Sequence, residues 1–219
     1  MYTLYAVNDW ASLAVHLALA EMGQPFERRM MDWDAGEMSG PAFLALSPFG
    51  LVPALQTPDG PMFETGAILL WLSERHGLSP APLSAQRAAF LKWFVFVNTS
   101  VHPTALCLLH PHRPAGEAAA AQAAEIAHGK FKAQLAAIEA MIVAEKPVWL
   151  SAAQPSVLTC YLGMLVRWGV AFPAYPDHAI SLDATPALRA VLAAAENRPA
   201  ALKVATAEGL GATFFTNPA

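Results

Sequence analysis

An α/β domain of order βαβ-ββα followed by an all-helical domain is the fold class this sequence predicts. Three observations carry it. Strand and helix patterns alternate through the first 77 residues, a Pro-rich connection reading GLSPAPL over 77–83 interrupts them, and every periodic segment beyond it repeats at helical spacing. The expected domains are therefore 1–77 and 84–219, joined by a linker over 78–83.

Residues 3–7 alternate as a strand, and 10–22 then place Leu13, Leu17 and Ala20 on one helical face before Gly23 ends the helix. Residues 26–32 form a second strand, and a strand, helix, strand unit of this length closes as a right-handed parallel crossover. A short helical segment follows over 41–46. Residues 54–56 and 61–63 flank Thr57, Pro58, Asp59 and Gly60, an antiparallel hairpin whose turn carries Pro and Gly where turns favour them. A helix over 65–76 completes the unit. Beyond the linker, residues 84–110, 116–145, 156–168, 186–197 and 199–208 are helical, and the alanine run 118–124 sits inside one of them because alanine is the best helix former.

Composition narrows the function classes. The 219 residues are 55% hydrophobic and 14% charged, ample for a large core, with a mean hydropathy of +0.36. Thirteen basic against seventeen acidic residues leave a net charge of −4, so no nucleic-acid footprint is expected. The N-terminal stretch MYTLYAVNDW lacks a positive segment and meets Asn8 and Asp9 early, so no secretion signal is expected. The apolar stretch 88–109 is interrupted by Lys92, Asn98, His102 and Pro103, which suits a core helix and not a membrane span. Cys107 and Cys160 are read as free core thiols in a reducing, cytoplasmic setting. His110 and His112 flank Pro111 at an interval unlike zinc signatures, so no metal is expected.

The chemistry-bearing stretch is SPFGLVPALQTPDGPMFETGAI, residues 47–68. Taken alone, Pro53 in the Gly50-Leu51-Val52-Pro53 corner serves a turn or a ligand site equally well. With a cis bond, the backbone groups of Val52 turn outward and pair with an extended peptide as an added strand would. Glu64 and Thr65 stand where strand gives way to helix: Thr65 caps the helix or meets a ligand carboxylate together with free N–H groups, and Glu64 takes an ammonium. An ordinary cap is the plainer reading of that pair. Taken together, an exposed peptide edge and a zwitterion clamp describe a site for a short peptide with a free amino-acid end, and glutathione fits.

The sequence resembles the soluble glutathione transferases, on LYAVNDWASLAVHLALAEMGQPFE, SPFGLVPAL, FETGAILLWLSERHG and PSVLTCYLGMLVRWG, and its ASLAVHLAL spacing looks most like bacterial beta-class members. The resemblance implies a thioredoxin-like N-terminal domain that binds glutathione as co-substrate, a helical domain that supplies a pocket for a hydrophobic electrophile, a homodimer, and detoxification chemistry. It also implies roles. Val52 and Pro53 contact the cysteinyl backbone, Glu64 and Thr65 hold the γ-glutamyl end, Ser12 stabilises the thiolate, and His102 lines the site near the sulfur. Trp10, Phe94, Leu106 and Trp168 are candidates for the pocket wall. Departures from the pattern are also legible: Ala11 stands where beta-class members carry cysteine, which disfavours thiol oxidoreduction; Phe49 stands where relatives often carry lysine; and Thr159 follows Ser156 where the family's capping box has Asp. The alternatives are a non-catalytic binding or regulatory module on the same fold, and a specialised glutathione-dependent lyase, dehalogenase or isomerase.

Overall fold

The computed structural model describes residues 1–218. Its first unit runs β1 (Tyr2–Ala6), α1 (Ser12–Glu21), β2 (Phe26–Met30), α2 (Pro41–Leu44), β3 (Ala54–Thr57), β4 (Gly60–Phe63) and α3 (Thr65–His76). The sheet order is β2-β1-β3-β4, with β1 parallel to β2 (Leu4 opposite Arg28) and antiparallel to β3 (Leu4 opposite Leu55), and β3 antiparallel to β4 (Leu55 opposite Met62). The α/β order expected from the sequence is therefore present, as a mixed four-stranded sheet. In β1 the alternation Tyr2, Leu4, Ala6 is buried, as a period of two requires of a strand with one face on the core. The hairpin turn is closed by Thr57, whose hydroxyl donates to the Gly60 carbonyl at 2.7 Å and accepts from the Asp59 N–H at 3.1 Å.

The second part is helical: α4 (Arg87–Phe96), α5 (His102–Leu109), α6 (His112–Ala115), α7 (Ala120–Glu145), α8 (Val157–Ala171), α9 (Pro186–Glu196) and α10 (Pro199–Glu208). Residues 84–110 were expected to form one helix, but a π turn over Val97–Val101 separates α4 from α5. Pro103 explains it. Proline supplies no N–H to the ladder and its ring crowds the carbonyl one turn back, so the chain widens upstream of it. The Ser156 cap is stronger than its Thr partner suggested: the Ser156 hydroxyl accepts from Leu158 N–H at 3.2 Å, and Thr159 Oγ1 accepts from Ser156 N–H at 3.0 Å, so the reciprocal box is complete.

Helix α1 joins the two parts. Residues 12–19 are buried without exception, because β1 and α3 cover one side and α8 and α10 the other. The junction also carries a charged clamp at the corner between β1 and α1. Asp9 has φ 61, a left-handed conformation in which a side chain other than glycine's is strained. Three groups hold it there. Arg167 on α8 donates Nε–H and Nη2–H to the two carboxylate oxygens, each at 2.7 Å; the Trp168 indole donates to the Asp9 carbonyl at 2.9 Å; and the Asp9 N–H donates to Glu208 of α10 at 2.8 Å. Arg167 also donates Nη1–H to the Phe214 carbonyl at 3.0 Å, so each guanidinium nitrogen has an acceptor. The Arg167 side chain is 4% exposed.

Breaking a buried pair by removing one partner strands the other charge. Arg167→Met is expected to lower the unfolding free energy by about 3–5 kcal/mol, measured by urea denaturation; a loss under about 1 kcal/mol would show that the clamp contributes no more than a surface pair.

Candidate functional site

A cavity of about 900 Å³ opens between the two parts of the chain. The sheet side contributes the β1–α1 corner (Asn8 to Ala11), the corner from Phe49 to Pro53, and the β4–α3 junction with Phe63, Glu64 and Thr65. The helical side contributes Asn98 from the π turn, His102 and Leu106 of α5, Arg113 of α6, and Trp168 and Phe172 at the end of α8. Both sides mix polar groups with apolar ones, Glu64 and Thr65 beside Phe49 and Phe63 on the sheet side and Asn98 and His102 beside Leu106, Trp168 and Phe172 on the helical side, as a ligand with a polar and an apolar part requires.

Val52, Pro53, Glu64 and Thr65 all border this cavity, so the two halves of the proline-rich stretch meet in space. The Val52-Pro53 bond is cis. Val52 precedes β3, and among the described residues its backbone N–H and C=O make no hydrogen bond within the chain. Glu64 has φ 73, again in the left-handed region. Strain of that kind is retained where surrounding structure imposes it, often at binding sites. The helix cap differs from expectation: Glu64, and not Thr65, is the cap residue of α3, and no side chain satisfies the helix start. The first N–H groups of α3 and the Thr65 hydroxyl therefore face the cavity without a side-chain partner, a favourable place for a carboxylate.

His102 stands across from them in a chain of hydrogen bonds. The Tyr161 hydroxyl donates to Asn98 Oδ1 at 2.9 Å and lies 2.7 Å from His102 Nδ1. Because the phenol's one proton is committed to Asn98, Tyr161 accepts from Nδ1–H, which leaves Nε2 as the acceptor nitrogen. Burial pushes the Tyr161 pKa up, with the Glu64 carboxylate adding to it, so the phenol stays protonated. Burial lowers the His102 pKa from 6.5 to about 4, so the imidazole is neutral at physiological pH. Asn98 is itself pressed against α3: a Cβ on Gly66 would lie 2.3 Å from Asn98 Oδ1, so any larger residue there would displace the Asn98 amide.

The other expected site residues fall in different places. Ser12 is fully buried and does not border the cavity; its hydroxyl donates to the Val7 carbonyl at 2.9 Å and accepts from the Val7 N–H at 3.3 Å, turned back beneath the β1–α1 corner. Nor does it cap α1, whose cap residue is Ala11. Trp10, Leu106 and Trp168 border the cavity as expected, whereas Phe94 is a core residue stacked on Phe90. Burial pushes the Cys160 thiol up to about 12, and the Cys107 thiol lies 3.8 Å from the Ala123 carbonyl. His16 is buried against Glu208, with Nδ1 at 2.6 Å from Oε1. Asn98, Tyr161 and Asp9 were not singled out from the sequence. The signal for Asn98 was present, as a polar residue interrupting an otherwise apolar helical run.

Residues 1–74 match the family model described as glutathione S-transferase, N-terminal domain. Glutathione S-transferase GST-4.5 of Xanthomonas campestris pv. campestris is 29% identical over 169 residues, covering 75% of this chain and 81% of that protein. Two solved structures align over nearly the whole chain. One is a sphingomonad glutathione S-transferase complexed with glutathione, at 29% identity and a TM-score of 0.75, covering 95% of this chain and 100% of that one. The other is a bacterial beta class glutathione S-transferase of Sphingomonas chungbukensis, at 26% identity and a TM-score of 0.74, covering 94% of this chain and 98% of that one.

A pH dependence follows from His102. Its folded-state pKa lies below its unfolded value, so its contribution to stability is complete above pH 6.5 and is lost as pH falls toward 4. The shift corresponds to at most about 3 kcal/mol. Unfolding free energies of the wild type and His102→Gln, measured between pH 7 and 4, are expected to show a shallower decline in the variant; parallel curves would rule out a buried neutral imidazole.

A second expectation concerns Ser12. Ser12→Ala leaves the half-buried Val7 N–H without its partner, while the Val7 carbonyl keeps the Trp10 N–H at 3.3 Å, and is expected to cost about 1 kcal/mol of stability, read by thermal or urea unfolding.

Proposed function

We propose that this chain, whose residues 1–74 match the glutathione S-transferase N-terminal domain, is a soluble glutathione S-transferase that binds glutathione on residues 1–77 and joins the glutathione sulfur to a hydrophobic electrophile held against the helical part of the chain. The observation that carries this reading is the meeting, in one cavity, of an unpaired backbone edge at Val52, an unpartnered helix start at Glu64 and Thr65, and a neutral histidine beside the apolar side chains of Leu106, Trp168 and Phe172.

Glutathione is a short peptide with a zwitterionic end. Its cysteinyl backbone pairs with Val52, its γ-glutamyl carboxylate takes the Thr65 hydroxyl and the first N–H groups of α3, and its ammonium takes the Glu64 carboxylate. This places the sulfur toward the start of α1. There the backbone N–H groups of Ala11 and Ser12 have no acceptor among the described residues and, with the helix dipole, favour a thiolate. Lowering a thiol pKa by about two units takes about 2.7 kcal/mol, within reach of a helix end and one charged hydrogen bond. His102 Nε2 accepts the thiol proton or orients it. The low basicity of His102 makes the proton's stay brief, and the exposed mouth of the cavity passes it to solvent. The sulfur lone pair then forms the bond to the electrophilic carbon, and the displaced group leaves with the bonding pair or, in an addition, the carbon takes up a proton. Ser12 acts behind this site, holding the corner in place through Val7.

The same reading places the protein in the cytoplasm as a detoxifying homodimer. Phe49 and Leu51, 73% and 58% exposed, continue the cavity rim with Phe63, whose ring meets that of Phe49 edge-on at 6.2 Å. An apolar rim of this kind is suited to burial against a second copy. No helix among the described residues is long and apolar enough to cross a membrane.

Calorimetric titration with glutathione is expected to show saturable binding at one site per chain, and no heat at millimolar ligand would overturn the proposal. Glu64→Ala and Thr65→Ala are each expected to raise KM for glutathione by about tenfold, since each removes a charged or charge-assisted contact worth about 1.4 kcal/mol, with kcat less affected. His102→Gln is expected to lower kcat. A second reading, a non-catalytic binding module, draws on Ala11 and on the commitment of the Ser12 hydroxyl to Val7; glutathione binding without turnover of any of a broad panel of electrophiles would favour it.

A further inference from the structure

A second group of ligating side chains lies outside the cavity. Glu125 and His128 stand one turn apart on α7, and His178 reaches them from the 3-10 turn Pro176–His178 that follows α8. His178 Nε2 is 2.9 Å from Glu125 Oε2, the His128 and His178 rings stack at 13° with centroids 5.0 Å apart, and one ligating atom from each of the three residues lies within 4.8 Å of the others. An ion pair between Glu125 and His178 accounts for only part of this. His178 Nδ1 is buried with no hydrogen-bond partner among the described residues.

Two imidazoles and a carboxylate are a donor set suited to zinc and its first-row neighbours, and they leave a coordination position open. Metal–ligand bonds of about 2.0–2.2 Å in tetrahedral geometry place donor atoms about 3.3 Å apart. Glu125 and His178 are already within that distance. No separation in the group exceeds 4.8 Å, so at most about 1.5 Å has to close, and side-chain rotation can supply it because Glu125 is exposed and His128 only half-buried. Lys132, one turn further along α7, opposes a cation here, and the Glu125 carboxylate offsets it.

We propose that Glu125, His128 and His178 form a binding site for a divalent first-row metal ion, zinc in preference, with a water in the remaining position. The ion would fasten the connection between α8 and α9 onto α7. That connection begins at Phe172, on the cavity wall, and its Ala174 N–H donates to the Leu108 carbonyl of α5 at 3.0 Å. The site is separate from the glutathione reading: none of its three ligands borders the cavity.

The test uses tag-free, chelator-treated protein titrated with zinc chloride by calorimetry, and with cobalt chloride by visible absorption. One equivalent is expected to bind, with an absorption band of four-coordinate cobalt, and to raise the unfolding temperature. His128→Gln and His178→Gln are each expected to weaken zinc binding at least tenfold, and Glu125→Gln to weaken it as well, while His112→Gln leaves it unchanged. Absence of zinc binding at a hundredfold excess overturns the proposal. So does undiminished affinity in either variant of His128 or His178, because His128 is partly exposed and its replacement leaves the folded chain intact for the measurement.

Discussion

Asp9 and Arg167 hold the two parts of this protein in the one arrangement that makes a cavity between them. The carboxylate belongs to the corner that follows the first strand, the guanidinium to a buried face of α8, and two contacts of 2.7 Å, one to each carboxylate oxygen, make the pair bidentate. Corner geometry follows from the pair. With φ at 61, Asp9 swings the chain so that Trp10 and Ala11 face the cavity while Ser12 turns back to Val7. Glu208 and Trp168 secure the backbone on either side of the same residue. The position of α1 against α8 and α10 then fixes how far the sheet stands from the helical wall of the cavity.

The site divides its chemistry by element type. Backbone groups on the sheet side are left unpaired where an extended peptide would supply partners, and the helical side contributes side chains. Between them runs the Asn98, Tyr161, His102 chain, in which each proton has an assigned owner. Its consequence is electronic: the imidazole is held neutral, as one tautomer, by burial and by a phenol that does not ionise. Gly66 is part of the same device, since only a residue without Cβ lets Asn98 approach the start of α3.

Elements with a strong period were legible in the sequence. The strands around Leu4 and Leu55, α3 and α10 lie where alternation or helical spacing placed them, because one face of each meets a core. The convergence of Val52 with Glu64 and Thr65 was legible too, since a short hairpin keeps them close. Ser12 was not. A hydroxyl at the start of a helix reads as a cap or a ligand contact, and only the path of the Asp9 corner shows it facing the opposite way. The π turn ahead of Pro103 has a local cause in that proline, whereas Asp9 and the joining of His178 to Glu125 and His128 depend on contacts between distant segments, for which no local pattern exists. The absence of a zinc-like spacing around His110 and His112 says nothing about ligands assembled in that way.

The clamp at Asp9 also sets an order of assembly. Its partners lie 158 and 199 residues further along the chain. During synthesis, which proceeds from the N-terminus, the sheet and α3 have all their own strands and hairpin contacts long before Arg167 and Glu208 exist. Until those residues emerge, Asp9 has no external group to hold its left-handed backbone, and the corner is free to relax. The unpaired backbone edge at Val52 is thus available early on the nascent chain, while the helical wall of the cavity is completed only when α8 and α10 dock. Closing so long a loop carries an entropic cost that grows only slowly with length, so delay, and not instability, is what this connectivity imposes.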